Sequence, residues 1–252
     1  MSPASQAALS GAVREAVRGD QVYPHYQPIV ELVSRDVVAV EALARWAHPC
    51  DGLIAPERFI PAAESGGFIG DLFFQMLRRV CVDGLKWRSP VQIAVNVSPH
   101  QFHDAGLADK ILSVLDRTGF PPHRLEIEVT EGNPMLDWSR AAKIFQTLKA
   151  HGIRLALDDF GTGYANLGHL HMLPFDRVKI DRSFLQAILE RAENRTIVRS
   201  IIALSRELGL STIGEGVETV GQMDWLKEAG CELAQGHYFG FPLSAEAIED
   251  LL

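Results

Sequence analysis

A closed α/β barrel of eight strand-and-helix units is the architecture this chain predicts, and three observations predict it. Short apolar runs alternate with longer segments of helical spacing along the whole length. The runs number eight once the first, proline-broken one is counted. The 252 residues, 47% of them hydrophobic, suffice for one such barrel and leave no room for a second full domain, so residues 1–252 read as a single unit. An open doubly wound sheet is the alternative, but no Gly-x-Gly-x-x-Gly turn follows the early strands.

Residues 7–18 have the spacing of a short amphipathic helix within an N-terminal segment 1–20. The barrel begins at about 22, where 22–30 is an alternating segment broken by Pro24 and Pro28, as an edge strand would be. Residues 37–43 read as a strand, followed by a turn cluster at 49–52. Helical spacing returns at 56–64 and 71–87; in the second, Leu72, Phe73, Met76, Leu77, Val80 and Leu85 share one side. Strands at 91–97, 125–129, 153–157, 177–180, 211–213 and 232–235 then alternate with helices at 107–118, 138–151, 194–208 and 220–229. Gly152 and Gly209 stop two of these helices.

Acidic residues outnumber basic ones, 32 against 24, for a net charge of −8. With no basic stripe to neutralise a run of phosphates, a nucleic-acid polymer is a poor partner. A small phosphorylated substrate stays open, because divalent ions can supply the missing positive charge. Cys50, Cys81 and Cys231 are scattered and read as reduced thiols. The first twenty residues lack an apolar run of signal-peptide length, and no segment approaches the roughly 20 apolar residues a membrane span needs. The expectation is a cytoplasmic chain with no membrane contact of its own.

In such a barrel the chemistry sits where strands reach their C-terminal mouth. The residues there are Glu41, Asn96, Glu128, Asp158 with Asp159, Lys179, Glu215 and Gln235. Singly, each acid has the plainer role of capping the next helix. Together they resist that account, since several lie inside their strand or just before a glycine. Five acids and an amide make an all-oxygen donor set suited to Mg²⁺ or Mn²⁺, with no His or Cys to favour zinc. That many acids repel too strongly for one divalent ion to offset, so two ions are the economical reading. Lys179 is then either a buried partner of an acid or a group that holds or helps deprotonate an attacking water. The Gly-spaced loop from Asp158 to Tyr164 is either a ligand-approaching loop or a tight turn. Arg45 and Trp46 offer a phosphate donor and a stacking surface, or simply pack at the rim. His48, His100, His103, His169, His171 and His237 fall in loops without ligand spacing and are assigned no chemistry.

Read in order, these residues resemble the EAL family of cyclic di-GMP phosphodiesterases. The tripeptide of that name is Glu41-Ala42-Leu43, followed by Ala44-Arg45-Trp46. The match continues through Gln27-Pro28-Ile29-Val30, Phe59-Ile60-Pro61-Ala62-Ala63-Glu64, Asn96-Val97-Ser98 and Glu126-Ile127-Glu128-Val129-Thr130-Glu131. Farther on stand Asp158-Asp159-Phe160-Gly161-Thr162-Gly163-Tyr164, Lys179-Ile180-Asp181, Glu215-Gly216-Val217-Glu218-Thr219 and Gln235-Gly236 with Pro242.

The resemblance implies a TIM-like (β/α)8 barrel whose first strand runs antiparallel to the rest. It implies hydrolysis of cyclic di-GMP to linear 5′-pGpG by in-line attack of an activated water, aided by two Mg²⁺ or Mn²⁺ ions, with Ca²⁺ inhibitory. Glu41, Asn96, Glu128 and Asp158 would hold one ion, and Asp158, Asp159 and Glu215 the other. Lys179 would orient or activate the water, and Gln235 would position water and phosphate. Glu41, Asp159, Glu215, Lys179 and Gln235 thus make up the catalytic set. Gln27, Leu43, Arg45, Asn96, Asp181, Gln235 and Pro242 would contact the substrate. Glu131 would steady the loop after Asp159, and Glu218 would support the ligands from behind. A homodimer is expected from the same resemblance. The chain departs from the family pattern at Ala165 and Asn166, where serines are common, and at Gly214, where alanine is common.

Two other readings compete. A receptor of the same fold would bind cyclic di-GMP without cleaving it, but such receptors usually lack a metal ligand and this sequence keeps them all. An enolase-like lyase would use a lysine base and carboxylate ligands on a carboxylate substrate.

Overall fold

Side chains on a strand alternate faces, so in a closed barrel every second residue points inside and the others pack against helices. The computed structural model describes residues 3–130, 138–161, 170 and 173–252, with side chains from residue 9, and has this alternation throughout its wall. The strands are β1 Val22–Glu31, β2 Val37–His48, β3 Gly52–Ile54, β4 Gln92–Asn96, β5 Leu125–Thr130, β6 Arg154–Phe160, β7 Arg177–Ile180, β8 Ser211–Gly214 and β9 Leu233–Gln235. Eight close into a barrel in the order β1-β9-β8-β7-β6-β5-β4-β2, sealed by the β1–β2 pair; β3 is a hairpin extension of β2 outside the circuit. β1 is antiparallel to both its neighbours, and the remaining barrel pairs are parallel, as the family resemblance implies.

The prolines of β1 fit this seam. Tyr26 exchanges backbone hydrogen bonds with Leu243, away from β2. Pro24 and Pro28 share Tyr26's side of the strand, so their missing N–H groups take nothing from the β1–β2 ladder.

Around the wall lie α1 Pro3–Arg18, α2 Pro56–Ser65, α3 Ile69–Lys86, α4 Leu107–Thr118, α5 Trp138–Ala150, α6 Arg182–Gln186, α7 Ala192–Glu207, α8 Val220–Ala229 and α9 Ala245–Glu249. The main core fills the space between these helices and the outward strand faces, with Leu77, Ile93, Ile111, Ile127, Phe145, Leu155, Val178 and Leu226 buried in it. Inside the barrel a lower layer closes the floor. Ile29, Ala39, Ile213 and Leu233 cluster there, and Arg177 makes a buried ion pair with Glu126 at 3.0 Å. Each of these residues stands two positions from a site candidate on its own strand or, for Glu215, just past its end, so the same alternation aims Gln27, Glu41, Glu128, Lys179, Glu215 and Gln235 inward one layer higher.

Three features differ from the sequence reading. β2 runs on to His48, because its second half pairs with both β1 and β3. Trp46 is therefore a strand residue, buried edge-on against Phe59, and packs instead of offering a stacking surface. The 3₁₀ turns Pro99–His103 and Pro122–Arg124 and the short helices α6 and α9 are too brief to announce themselves by periodicity. Among the described residues, no helix is long and apolar enough to cross a membrane.

Candidate active site

Strand register decides which side chains meet at the mouth. Gln27 stands opposite Glu41 across β1–β2, Asn96 is level with Glu128, and Gln235 is level with Ile29. Between β6 and β7 the register slips: Leu157 pairs with Val178 and Phe160 with Ile180, so Asp158 and Asp159 together oppose Lys179. This is a β-bulge, the device that re-aims side chains at the rim of a barrel. It places Asp159 at φ 55°, in the left-handed region that a short acid tolerates better than most residues.

The outcome is one ammonium among four carboxylates. Lys179 Nζ lies 2.7 Å from Glu215 Oε1, 2.9 Å from Glu128 Oε2, 3.3 Å from Asp158 Oδ1 and 3.4 Å from Glu41 Oε2. Glu41 is held from its other side by two amides. Asn96 Nδ2 donates to Oε1 at 2.6 Å and Gln235 Nε2 to Oε2 at 2.7 Å. The same Gln235 amide also donates to Gln27 Oε1 at 3.0 Å, and Gln27 Nε2 donates to the Gly240 carbonyl at 3.1 Å.

Electrostatics separates these acids. Burial opposes ionisation of Glu41, but Lys179 and the two amides outweigh it and hold the carboxyl below the usual range. Glu128 lies deeper, and burial together with the charges of Glu41 and Asp158 drives it well above that range. Burial raises Asp158 likewise, lifts Asp159 to about 6 with help from Asp158 and Asp181, and lifts Glu215 to about 8. Burial works against the charged Lys179, yet the ring of acids overrides it and keeps the ammonium firmly protonated.

A cavity of about 770 Å³ opens above the cluster. Gln27, Glu41, Leu43, Asn96, Asp158, Asp159, Lys179, Asp181, Glu215, Glu218 and Gln235 line it. Glu128 does not; it closes the floor beneath Lys179. Arg45 and Pro242 stand outside the lining, Arg45 half-buried with its guanidinium on the Ala44 carbonyl. Asp181 caps α6 through the Ser183 amide. Glu131, Tyr164, Ala165, Asn166, His169 and His171 lie outside the described residues. Sequence reasoning passed over Glu64, which lines the cavity and accepts the Ser98 hydroxyl at 2.7 Å, steadying the turn after Asn96. It also passed over His237, which lines the cavity with its ring stacked on Phe241. The only prior signal for Glu64 was its place in the quoted Phe59–Glu64 run.

The donor set suits a hard divalent cation. Asp158, Asp159 and Glu215 each offer an oxygen within 4.8 Å of the others. Glu128 Oε1 is buried with no hydrogen-bond partner among the described residues, a position a cation would satisfy.

The EAL domain model matches residues 10–242. Cyclic di-GMP phosphodiesterase NbdA of Pseudomonas aeruginosa is 40% identical over 244 residues, covering 95% of this chain and 31% of NbdA. The chain spans about a third of the length of the curated relatives it matches. Among solved structures, the MucR phosphodiesterase of Pseudomonas aeruginosa in complex with c-di-GMP superposes with a TM-score of 0.91 at 38% identity, covering 96% of this chain and 99% of that one. The EAL enzyme Bd1971, with cAMP and cyclic di-GMP bound, superposes with a TM-score of 0.94 at 26% identity, over 100% of this chain and 70% of that one. With a matching model over nearly its full length and these relatives on the same barrel, the chain belongs to the EAL-domain family.

Proposed function

We propose that this chain hydrolyses cyclic di-GMP to the linear dinucleotide 5′-pGpG, using two Mg²⁺ or Mn²⁺ ions at the acid cluster. The observation that carries the reading is the gathering of Glu41, Glu128, Asp158 and Glu215 about Lys179 beneath a cavity of about 770 Å³. Relatives named for this activity and solved with this ligand support the choice of substrate. One ammonium is too little to keep four clustered acids ionised, and divalent cations would displace the protons held on the raised ones and offset the charge so exposed. Glu41, Asn96, Glu128 and Asp158 would hold one ion, and Asp158, Asp159 and Glu215 the other. Bound there, the ions would supply charge neutralisation on the phosphate and acidify an attacking water.

The protein's own part is positional. Lys179 orients the water as a hydrogen-bond donor. Gln235 has its Nε2 committed to Glu41 and Gln27 while its buried Oε1 has no partner among the described residues, so it can accept from the same water. Asn96 fixes the Glu41 carboxylate through the 2.6 Å hydrogen bond, and Gln27 and Leu43 meet the substrate at the cavity wall. Ca²⁺, with its looser coordination, would occupy the site without supporting turnover.

The test is incubation of the purified chain with cyclic di-GMP and Mg²⁺ or Mn²⁺, with chromatographic identification of the product. Linear 5′-pGpG that disappears with chelator is the expected result. Tight binding with no product would make the chain a receptor instead.

A further inference from the structure

After Gln235 the chain leaves the barrel and crosses its mouth, and this segment carries an aromatic pair to which nothing above gives a role. The His237 ring lies 4.4 Å from that of Phe241, with planes 29° apart, a stacked arrangement. His237 lines the cavity, while Phe241 is 62% exposed. The segment is pinned. Tyr238 N donates to the Val217 carbonyl, Gly240 N to Gly236, and Leu243 pairs with Tyr26 on β1. The Gly240 carbonyl accepts from Gln27, which is bonded to Gln235 and through it to Glu41. The ring pair is thus held at a fixed distance from the acid cluster.

Resting on the function proposed above, we infer that the His237–Phe241 pair is an affinity platform on which one guanine of the dinucleotide stacks. A cyclic dinucleotide carries its bases outward from its phosphates. With a phosphate at the acid cluster, a base must leave the cavity across the rim, and the exposed face of Phe241 gives it a flat apolar surface on a rigid mount. Ring stacking accepts any base face and supplies affinity without touching the reacting atoms.

The test is steady-state kinetics with a spectroscopic control. Phe241→Ala should raise KM for cyclic di-GMP about tenfold, the loss expected for one stacked base. Its kcat should stay within about twofold, because the interaction is as strong in the ground state as in the transition state. Phe241→Trp should keep a KM near wild type. Its new indole should be quenched on binding cyclic di-GMP, beyond any change from Trp46, Trp87, Trp138 and Trp225 in the parent. Unchanged KM in both Phe241→Ala and His237→Ala, or an unquenched indole at saturating ligand, overturns the platform while the parent's activity stands. A parent that neither binds nor cleaves cyclic di-GMP removes the functional reading, and the platform with it.

Discussion

Lys179 Nζ meets Glu128 Oε2 at 2.9 Å, at a depth where Glu128 is wholly buried and Lys179 all but so. Lys179 is the cation that Glu128 shares with Glu41, Asp158 and Glu215, so deleting it leaves four acids without the ammonium that offsets them. The sequence alone suggests that Lys179→Ala costs turnover and leaves the fold intact; the geometry adds a stability cost. Lys179→Ala should lose most turnover and, in chelator, about 3 kcal/mol of stability. Mg²⁺ or Mn²⁺ should narrow the stability gap by taking over the neutralisation. Melting curves with and without metal read this out, and equal midpoints for parent and variant in chelator would contradict it.

Glu41→Ala removes a side chain held by Asn96 and Gln235 at the edge of the same cluster. The acid is buried, and Lys179 and these amides hold it below the usual carboxylate range, so the site favours its charged form and its loss removes an acceptor that Asn96 and Gln235 share. The variant should melt below the parent's temperature in chelator and lose most turnover, about a hundredfold or more. Full rate at saturating Mg²⁺ would refute the place of Glu41 among the ligands.

The raised acids give the metal-free protein a definite pH response. Asp159 moves from 3.8 to about 6 and Glu215 from 4.5 to about 8 on folding. A folded pKa above the unfolded one means that the native state binds protons more tightly. The contribution is therefore full below about 4 and lost as pH rises through about 6 for Asp159 and about 8 for Glu215. Metal-free stability should fall across pH 4 to 8 on account of these two groups, and apparent Mg²⁺ affinity should rise over the same range as the ion displaces their protons. Titration calorimetry at several pH values measures the second effect. An affinity flat between pH 5 and 8 would rule it out.

The barrel was legible in the sequence because its strands are marked twice, by apolar runs and by the polar residue ending each run. Glu41, Glu128 and Lys179 could be placed from that pattern alone. The bulge at Asp158 and Asp159 could not, since a one-residue slip against β7 leaves no trace in the hydrophobicity of Leu155-Ala156-Leu157. The reversal of β1 came from family resemblance; periodicity is blind to strand direction. His237 lacks ligand spacing in the sequence, and its position is decided by the hydrogen bonds of Tyr238 and Gly240, which no local pattern announces.

Two glycines beside the site should respond to alanine to very different degrees. At Gly236, φ is 155° and a Cβ would stand 2.2 Å from the backbone N and O of Val217. Val217 N donates to the Gln235 carbonyl, so the backbone cannot yield without moving Gln235. Gly236→Ala should cost about 3 kcal/mol and most of kcat. At Gly214 the Cβ would meet Leu226 Cδ1 at 2.6 Å, the far end of a flexible side chain. Gly214→Ala should cost about 1 kcal/mol and leave kcat near the parent's. Thermal melts and initial rates on the two variants decide the matter, and a harmless Gly236→Ala would mean that the Gln235 turn is not built as described.

Gln27 links the cavity wall to the acids, accepting from Gln235 at 3.0 Å and donating to the Gly240 carbonyl at 3.1 Å. Gln27→Ala deletes both bonds. It leaves the Gly240 carbonyl unbonded by that amide and lets the Gln235 amide turn away from Glu41. Each lost hydrogen bond of this kind is worth about 1 kcal/mol, so kcat/KM should fall about tenfold or more. A purely local contact with substrate would lower kcat/KM as well, so hydrogen exchange is the discriminating readout. Loosening of the 236–243 segment should speed exchange of the Leu243 amide, which in the parent is bonded to the Tyr26 carbonyl. Unchanged protection at Leu243 together with lost kcat/KM would assign Gln27 to substrate contact alone, and would separate the rim segment from the chemistry beneath it.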